Sequence, residues 1–451
     1  MLSLQKLGKL FHLDIKDDLL LRGASIDSRQ VTSDSLFFAI KGARVDGHSF
    51  LGDVAAKGAK AAVVDLSYNG SNHGMYLLPV KNVTEALQKI GQQLLQERQY
   101  RVIAVTGSLG KTTTKEFVKQ LLSKRYSVAG TKGNQNTQLT LPLTIINADP
   151  SAQFLVLEMG MTHTGNIAQL VSIAPPEIAV ITNISYSHGV NFSKLEEIAK
   201  SKSEILSQHA TKKAILWQET RCLSDIESSA NCNRIYFSTD NPRAKYFFKV
   251  TNIENLEVEF WESGRLCWSG KLPFRGKHNA QNLLAAIACV REVGLDWALI
   301  GEAINDLKLP EYRLEIIDYQ GVTIINDAYN NSSPDAACAA LDSIPKPNEG
   351  GRRIVVLSEM RELGQWSRGS HERLAEYALS KVDIMLCIGI ECEIMRSYWK
   401  NSGKVFEIAS SREELLELVR KYVQKKDIVL FKGSKYYDFP NLIQAFTGET
   451  A

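Results

Sequence analysis

The sequence predicts an α/β protein of three domains, and three observations carry that prediction. Short apolar, strand-like runs alternate with helical patterns along most of the chain. One of these alternations encloses a glycine-containing loop, AVTGSLGKTTTK at 104–115, set between a strand and a helix. Beyond Pro310 the alternation starts afresh. A chain of 451 residues also exceeds what one hydrophobic core ordinarily serves.

Residues 1–82 form the first predicted domain. They hold strand-like runs at Ser35–Ile40, Ala61–Val64 and Met75–Val80 with helical stretches between, and no phosphate loop. A helical segment, Val83 to Arg98, opens the second domain, 83–309, and leads into the strand Arg101–Val105. Further runs at Phe154–Leu157, Ile178–Ile181 and Ala214–Trp217, divided by helical patterns, imply a largely parallel, doubly wound sheet. In the third domain, 310–451, the runs are Val322–Ile325, Arg353–Leu357, Ile384–Cys387 and Asp427–Phe431. No internal repeat or low-complexity linker interrupts this order.

Composition narrows the function classes. Hydrophobic residues make up 44% and charged residues 23%, as in a soluble globular protein. The 53 basic and 50 acidic residues are well mixed, which argues against a nucleic-acid surface. Seven scattered cysteines without a CxxC pair point to reduced thiols and the cytoplasm. The first residues, MLSLQKLGKLFHLD, are too interrupted by charge for a signal peptide. No apolar run reaches the ~18 residues of a membrane span, so no membrane insertion is expected.

The loop at 107–112 carries the first chemical reading. Loop amides and a helix N-terminus direct positive partial charge at one spot, Lys111 can reach the β- and γ-phosphates, and Thr112 can ligate Mg²⁺. The pattern GxxxxGK[ST] asks for glycine at 105, where Val105 stands. The loop is thus a variant, and a plain strand-to-helix turn is the alternative. Glu158 in LEMG and His188 in SYSHG each follow an apolar strand. Strand carboxyl ends converge on the phosphate loop of a doubly wound sheet, so both can meet a nucleotide-bound Mg²⁺. Solvated loop residues are the bland reading of each.

Five later stretches extend the pattern: GKHNAQN (276–282), YRLE (312–315), NDAYNNSSPD (326–335), EMRELG (359–364) and FKGSK (431–435). In order and spacing they resemble the Mur ligases of peptidoglycan synthesis, ATP-dependent enzymes that form amide bonds. The resemblance covers nearly the whole chain, and the family's own loop is TGSxGKTT, so Val105 is expected. It implies an N-terminal UDP-binding α/β domain, a central P-loop domain and a C-terminal Rossmann-like ligase domain. Within the family, GNQNT (133–137), LEMG (157–160) and DAYN (327–330) followed by Pro334 resemble the branch that adds D-alanyl-D-alanine to UDP-N-acetylmuramoyl-tripeptide.

Position by position, the resemblance implies that Gly107, Ser108, Leu109, Gly110, Lys111, Thr112 and Thr113 hold the phosphates of ATP. Mg²⁺ would rest on Thr112, Glu158, His188 and Lys202, the last as a carbamate formed with CO₂. Asn279 and Asn282 would contact the adenine region, Arg313 a phosphate and Asp327 the ribose. Lys111, Lys202, His188 and Arg313 are the expected catalytic residues. In SIDSR (25–29) and KGARVDGH (41–48), Ser28, Arg29, Gly47 and His48 resemble the stretch that holds the uridine diphosphate. A monomer is implied. The plain alternatives are helix capping for the asparagines, a surface ion pair for Arg313 and an ordinary turn for Asp27–Arg29.

Departures and rivals accompany the resemblance. The family's DxYNxNP is one residue longer here, from Asp327 to Pro334, and its GDM is Ser358-Glu359-Met360, both where the dipeptide is expected. Asp240-Asn-Pro-Arg243 spells a tetrapeptide that relatives use for diaminopimelate, but it stands before HNAQN and reads as a turn. A folylpolyglutamate-synthetase-like ligase would lack the domain ahead of the phosphate loop. A non-catalytic nucleotide switch would tolerate loss of Glu158, His188 and Lys202.

Overall fold

The computed structural model describes residues 2–186 and 189–448. Three sheets account for most of the strands. The first is a parallel four-stranded sheet in the order Ala24–Ser25, Leu36–Phe38, Ala61–Asp65, Tyr76–Val80. Its loops leave the strand carboxyl ends on one edge.

The helix Val83–Arg98 follows. Asn82 caps it, its side chain accepting from the amides of Thr84 and Glu85, and Gln99 ends it in a left-handed conformation. Val83, Ala86, Leu87, Ile90 and Leu94 recur at helical spacing and are buried. They belong to one apolar cluster that also takes in Leu36, Val63 and Leu78 of the first sheet and Leu155, Leu157 and Ile181 of the next. The helix therefore cements the first sheet to the second.

The central sheet has nine strands, with Arg101–Thr106 held in parallel between Phe154–Glu158 and Ile178–Ile181. Lys213–Trp217, Asn233–Ser238 and Tyr246–Asn252 continue the parallel order. The predicted βα alternation fails after that. Tyr246–Asn252, Glu257–Glu262 and Arg265–Lys271 form an antiparallel meander at the edge. Ser263 and Gly264, both at positive φ, close its last hairpin in two residues, a turn whose twist suits paired strands. The period-two alternation in EVEFWE was the signal for it. Asp240–Arg243 is a turn between two of these strands, as expected, with the Arg243 amide donating to Asn241 Oδ1 at 3.0 Å.

The C-terminal sheet has six strands in the order Glu315–Tyr319, Val322–Asn326, Ile428–Lys432, Arg353–Ser358, Ile384–Ile388, Val405–Ala409. Only the first pairing is antiparallel. Apolar clusters flank both faces of this sheet. No helix among the described residues is long and apolar enough to cross a membrane.

Candidate active site

A cavity of about 500 Å³ opens where the central strand ends face the C-terminal sheet. The loop after Arg101–Thr106 and the helix Lys111–Leu122 form its floor. Gly110, the N-cap, has φ +80°. A side chain there would also collide with the Asn282 amide, so glycine lets the helix Lys277–Val293 close against the loop.

Lys111 donates to the carbonyls of Gly107 (2.8 Å) and Ser108 (3.1 Å). The cleft encloses Lys111, and burial lowers its pKa. Arg313 pushes the same way and Glu158 opposes. An arriving phosphate would offset both costs. Thr112 Oγ1 donates to Glu158 Oε2 at 2.8 Å, and Asn136 Nδ2 donates to Glu158 Oε1 at 2.8 Å. Glu158 is 2% exposed at the end of its strand, with its amide donating to Thr131 Oγ1. Thr113 is buried one residue further along the helix, and Leu109 lines the cavity.

Lys202 and Lys200 share the helix Leu195–Ser203 but face opposite ways: Lys200 is exposed, while Lys202 is buried and lines the cavity. Burial, with Lys111 nearby, drives the Lys202 pKa well below that of a free lysine; Glu158 only partly opposes this. His188 lies outside the described residues.

The C-terminal domain supplies the opposite wall. Arg313 stacks on Tyr329, its guanidinium carbon 4.1 Å from the ring centroid, and its buried Nε has no hydrogen-bond partner. An orphaned donor of this kind suits an incoming anion. Asp327 pairs with Lys432 at 2.8 Å, both buried, and Lys432 also donates to the Asn330 carbonyl. Asn331 Oδ1 and Ser434 Oγ are further orphaned polar atoms, each within two residues of the cavity lining. Asn279 and Asn282 are buried at the cavity, and Asn279 Nδ2 also donates to the Arg275 carbonyl. Their helix has no side-chain N-cap, so the capping alternative for Asn279 does not hold: its amide donates to a carbonyl just ahead of the helix.

His278, two residues into the same helix, lines the cavity with its pKa lowered to about 4 by burial, Lys432 and Arg313 adding to this and Asp327 opposing it. Lys432, Asn136 and His278 were not singled out from the sequence. FKGSK, GNQNT and GKHNAQN were visible as motifs, but nothing local to them discloses which carboxylate or cleft they reach.

The four residues assigned to uridine diphosphate lie away from this cavity, at the carboxyl-end edge of the first sheet. Arg29 is tied to Asp27 through a bidentate pair (2.9 and 2.7 Å), and Lys57 donates to the Ser28 carbonyl. A side chain at Gly47 would meet the backbone of Ile40 at 2.7 Å. His48 bridges Asp46 and the Asp65 amide and stacks on Tyr68.

The chain matches the family descriptions "Mur ligase family, catalytic domain" over residues 21–105, "Mur ligase middle domain" over 105–290 and "Mur ligase, glutamate ligase domain" over 312–435. It is 30% identical over 434 residues to the UDP-N-acetylmuramoyl-tripeptide–D-alanyl-D-alanine ligase of Bacillus subtilis, covering 93% of this chain and 92% of that one. MurF from Acinetobacter baumannii superposes with a TM-score of 0.87 at 26% identity, covering 99% of both chains. MurF from Thermotoga maritima, solved in complex with ADP, gives 0.82 at 28% identity, covering 96% of this chain and 99% of that one. With three matched domains in order and a relative 30% identical along nearly its whole length, the chain belongs to the Mur ligase family.

Proposed function

We propose that the chain is an ATP-dependent ligase that joins D-alanyl-D-alanine to UDP-N-acetylmuramoyl-tripeptide, as a cytoplasmic monomer. The observation that carries this reading is the meeting, in one cleft, of Lys111, Glu158 and Lys202 from the central domain with Arg313, Asp327 and Lys432 from the C-terminal domain. The names of its relatives support the choice of substrates, and seven free cysteines support a reducing compartment.

A carboxylate is a poor electrophile, and an amine cannot displace its oxygen directly. Transfer of the γ-phosphoryl group to the terminal carboxylate of the tripeptide gives an acyl phosphate. The dipeptide amine then attacks the acyl carbon, passes through a tetrahedral adduct and expels phosphate. Lys111 and the loop amides hold the transferring phosphate, and Arg313 brings its unpaired donor to the negative charge. The two domain walls exclude water from the acyl phosphate. Asp327 lies where a ribose hydroxyl can donate to it, and Asn279 and Asn282 line the adenine side.

The donor set fits Mg²⁺: a hydroxyl at Thr112 and a carboxylate at Glu158 are hard oxygen ligands, with His188 and a carbamylated Lys202 completing it. Bound there, the ion would neutralise phosphate charge. The low pKa of Lys202 leaves more of its amine neutral, the form that adds CO₂. The uridine diphosphate end is assigned to Ser28, Arg29, Gly47 and His48 on the first sheet.

The test is phosphate release from ATP with the UDP-tripeptide and a panel of acceptors. D-alanyl-D-alanine is expected to be the best acceptor, with D-glutamate and other single amino acids essentially inactive. Preference for a free amino acid would move the chain to another branch. Nucleotide binding without turnover for any acceptor would make it a switch.

A further inference from the structure

The central and C-terminal domains meet at a buried polar relay that starts from the phosphate loop and whose other members, Ser185, Ser333 and Asp335, the ligation chemistry described above does not use. Ser108, in the phosphate loop, donates its hydroxyl to the Ser185 carbonyl at 2.8 Å and accepts from the Ser185 amide at 3.0 Å. Ser185 in turn donates its own hydroxyl across the domain boundary to Asp335 Oδ2 at 2.6 Å, with Ser333 Oγ at 3.1 Å. Ser185 and Ser333 are fully buried.

Asp335 sits in the first turn of the helix Pro334–Asp342, where the helix N-terminus favours its charge. Arg373 of its own domain pairs with it at 2.8 Å, and Arg221 of the central domain approaches to 3.8 Å. Arg221 lies over Tyr186, and Tyr186 packs on Trp366 of the C-terminal domain with centroids 4.5 Å apart. Opening the domains would leave Asp335 its Arg373 partner but remove Ser185 and Arg221.

This geometry has a directional consequence. The Ser185 backbone is clamped by Ser108 in the same arrangement that presents its hydroxyl to Asp335, so the relay ties the shape of the phosphate loop to the domain contact. We propose that Asp335 is a positioning residue, the latch through which the C-terminal domain docks on a correctly formed phosphate loop, with Ser185 as the relay. Acting through a hydrogen bond to a charged group, it biases the closed arrangement roughly ten- to hundredfold.

The proposal rests on the ligase reading for its kinetic assay but not for its conformational one. Asp335→Asn, Ser185→Ala and the double variant are compared with wild type. Ser185→Ala keeps the backbone bonds to Ser108, so the loop itself is preserved. Each single variant is expected to lose roughly ten- to hundredfold in kcat/KM, and the double variant to lose no more than the worse single one. In small-angle scattering with a non-hydrolysable ATP analogue, the variants should keep a larger radius of gyration than wild type.

Multiplicative losses, or variant scattering that matches wild type, would overturn the latch. An acceptor KM effect confined to Asp335→Asn, with unchanged scattering, would instead make Asp335 a contact for the acceptor amine. If Asp335→Asn does not fold, Ser185→Ala alone decides the scattering question. If no acceptor is turned over by wild type, the ligase reading fails while scattering still decides the latch.

Discussion

His278 should make the protein lose stability in mild acid by an amount that one substitution removes. Burial holds its imidazole pKa at about 4, against 6.5 for a free side chain. Between those values the unfolded chain binds a proton that the folded chain refuses, so stability falls as pH falls from 6.5 toward 4 and is fully retained above 6.5. At 1.36 kcal/mol per unit, the full loss is about 3 kcal/mol, with about 2 kcal/mol already gone at pH 5. Desolvation of the ring sets the sign; of the charges facing it, Asp327 and Asp342 favour an imidazolium, while Lys432 and Arg313 disfavour it. Urea unfolding of wild type and His278→Gln from pH 7.5 to 4.5 isolates the effect, because all other titrating groups are common to both. Between pH 7.5 and 4.5 wild type should lose about 2–3 kcal/mol more stability than the variant. Parallel curves would show that the ring titrates normally in the folded state and would refute the assignment of a neutral, half-buried imidazole to the cleft wall.

Lys111→Met should lower kcat by about a thousandfold or more, since it removes a principal charge from the transferring phosphate, while the thermal midpoint stays close to wild type; turnover near wild type would remove Lys111 from the phosphate site. Lys202→Ala should lose most activity and regain part of it with formate, whereas Lys200→Ala, on the exposed face of the same helix, should be mild. A Lys202 variant that no short acid rescues, with a wild-type rate indifferent to removal of CO₂ and bicarbonate, would exclude the carbamate. Arg29→Ala should weaken sugar-nucleotide binding by titration calorimetry with ATP affinity unchanged; equal loss of both would point to misfolding, since the Arg29 side chain is exposed and pairs with Asp27 beside it.

The parts of the site that were legible in the sequence are those built by neighbours in the chain. A strand, a glycine loop and a helix start at 101–122 announce a phosphate site because each is encoded within a few residues, and Glu158 is placed by the end of its own strand. Helical periodicity likewise separates Lys202 from Lys200. What remained illegible depends on closure of the fold. Asn136 reaches Glu158 across 22 residues, and Ser185 reaches Asp335 across 150. Lys432 finds Asp327 only because their two strands are neighbours in the C-terminal sheet. The antiparallel edge at 246–271 escaped for another reason: its strands carry Glu, Lys and Arg on an exposed face, so their apolar content is diluted and alternation alone marks them.

The helix Val83–Arg98 has a consequence for how such a chain can be recombined. Its apolar stripe is shared between two sheets, so separating the first 82 residues from the rest would expose Val83, Leu87, Ile90 and Leu94 to water and invite aggregation. The C-terminal domain carries its own cores on both faces of its sheet, and several of its contacts with the central domain are polar, as at Ser185–Asp335 and Gln365–Ser193. Transplanting that domain between relatives is therefore physically inexpensive, whereas transplanting the first is not. Shuffling of genes would accordingly keep the first two domains together as a unit and exchange the third.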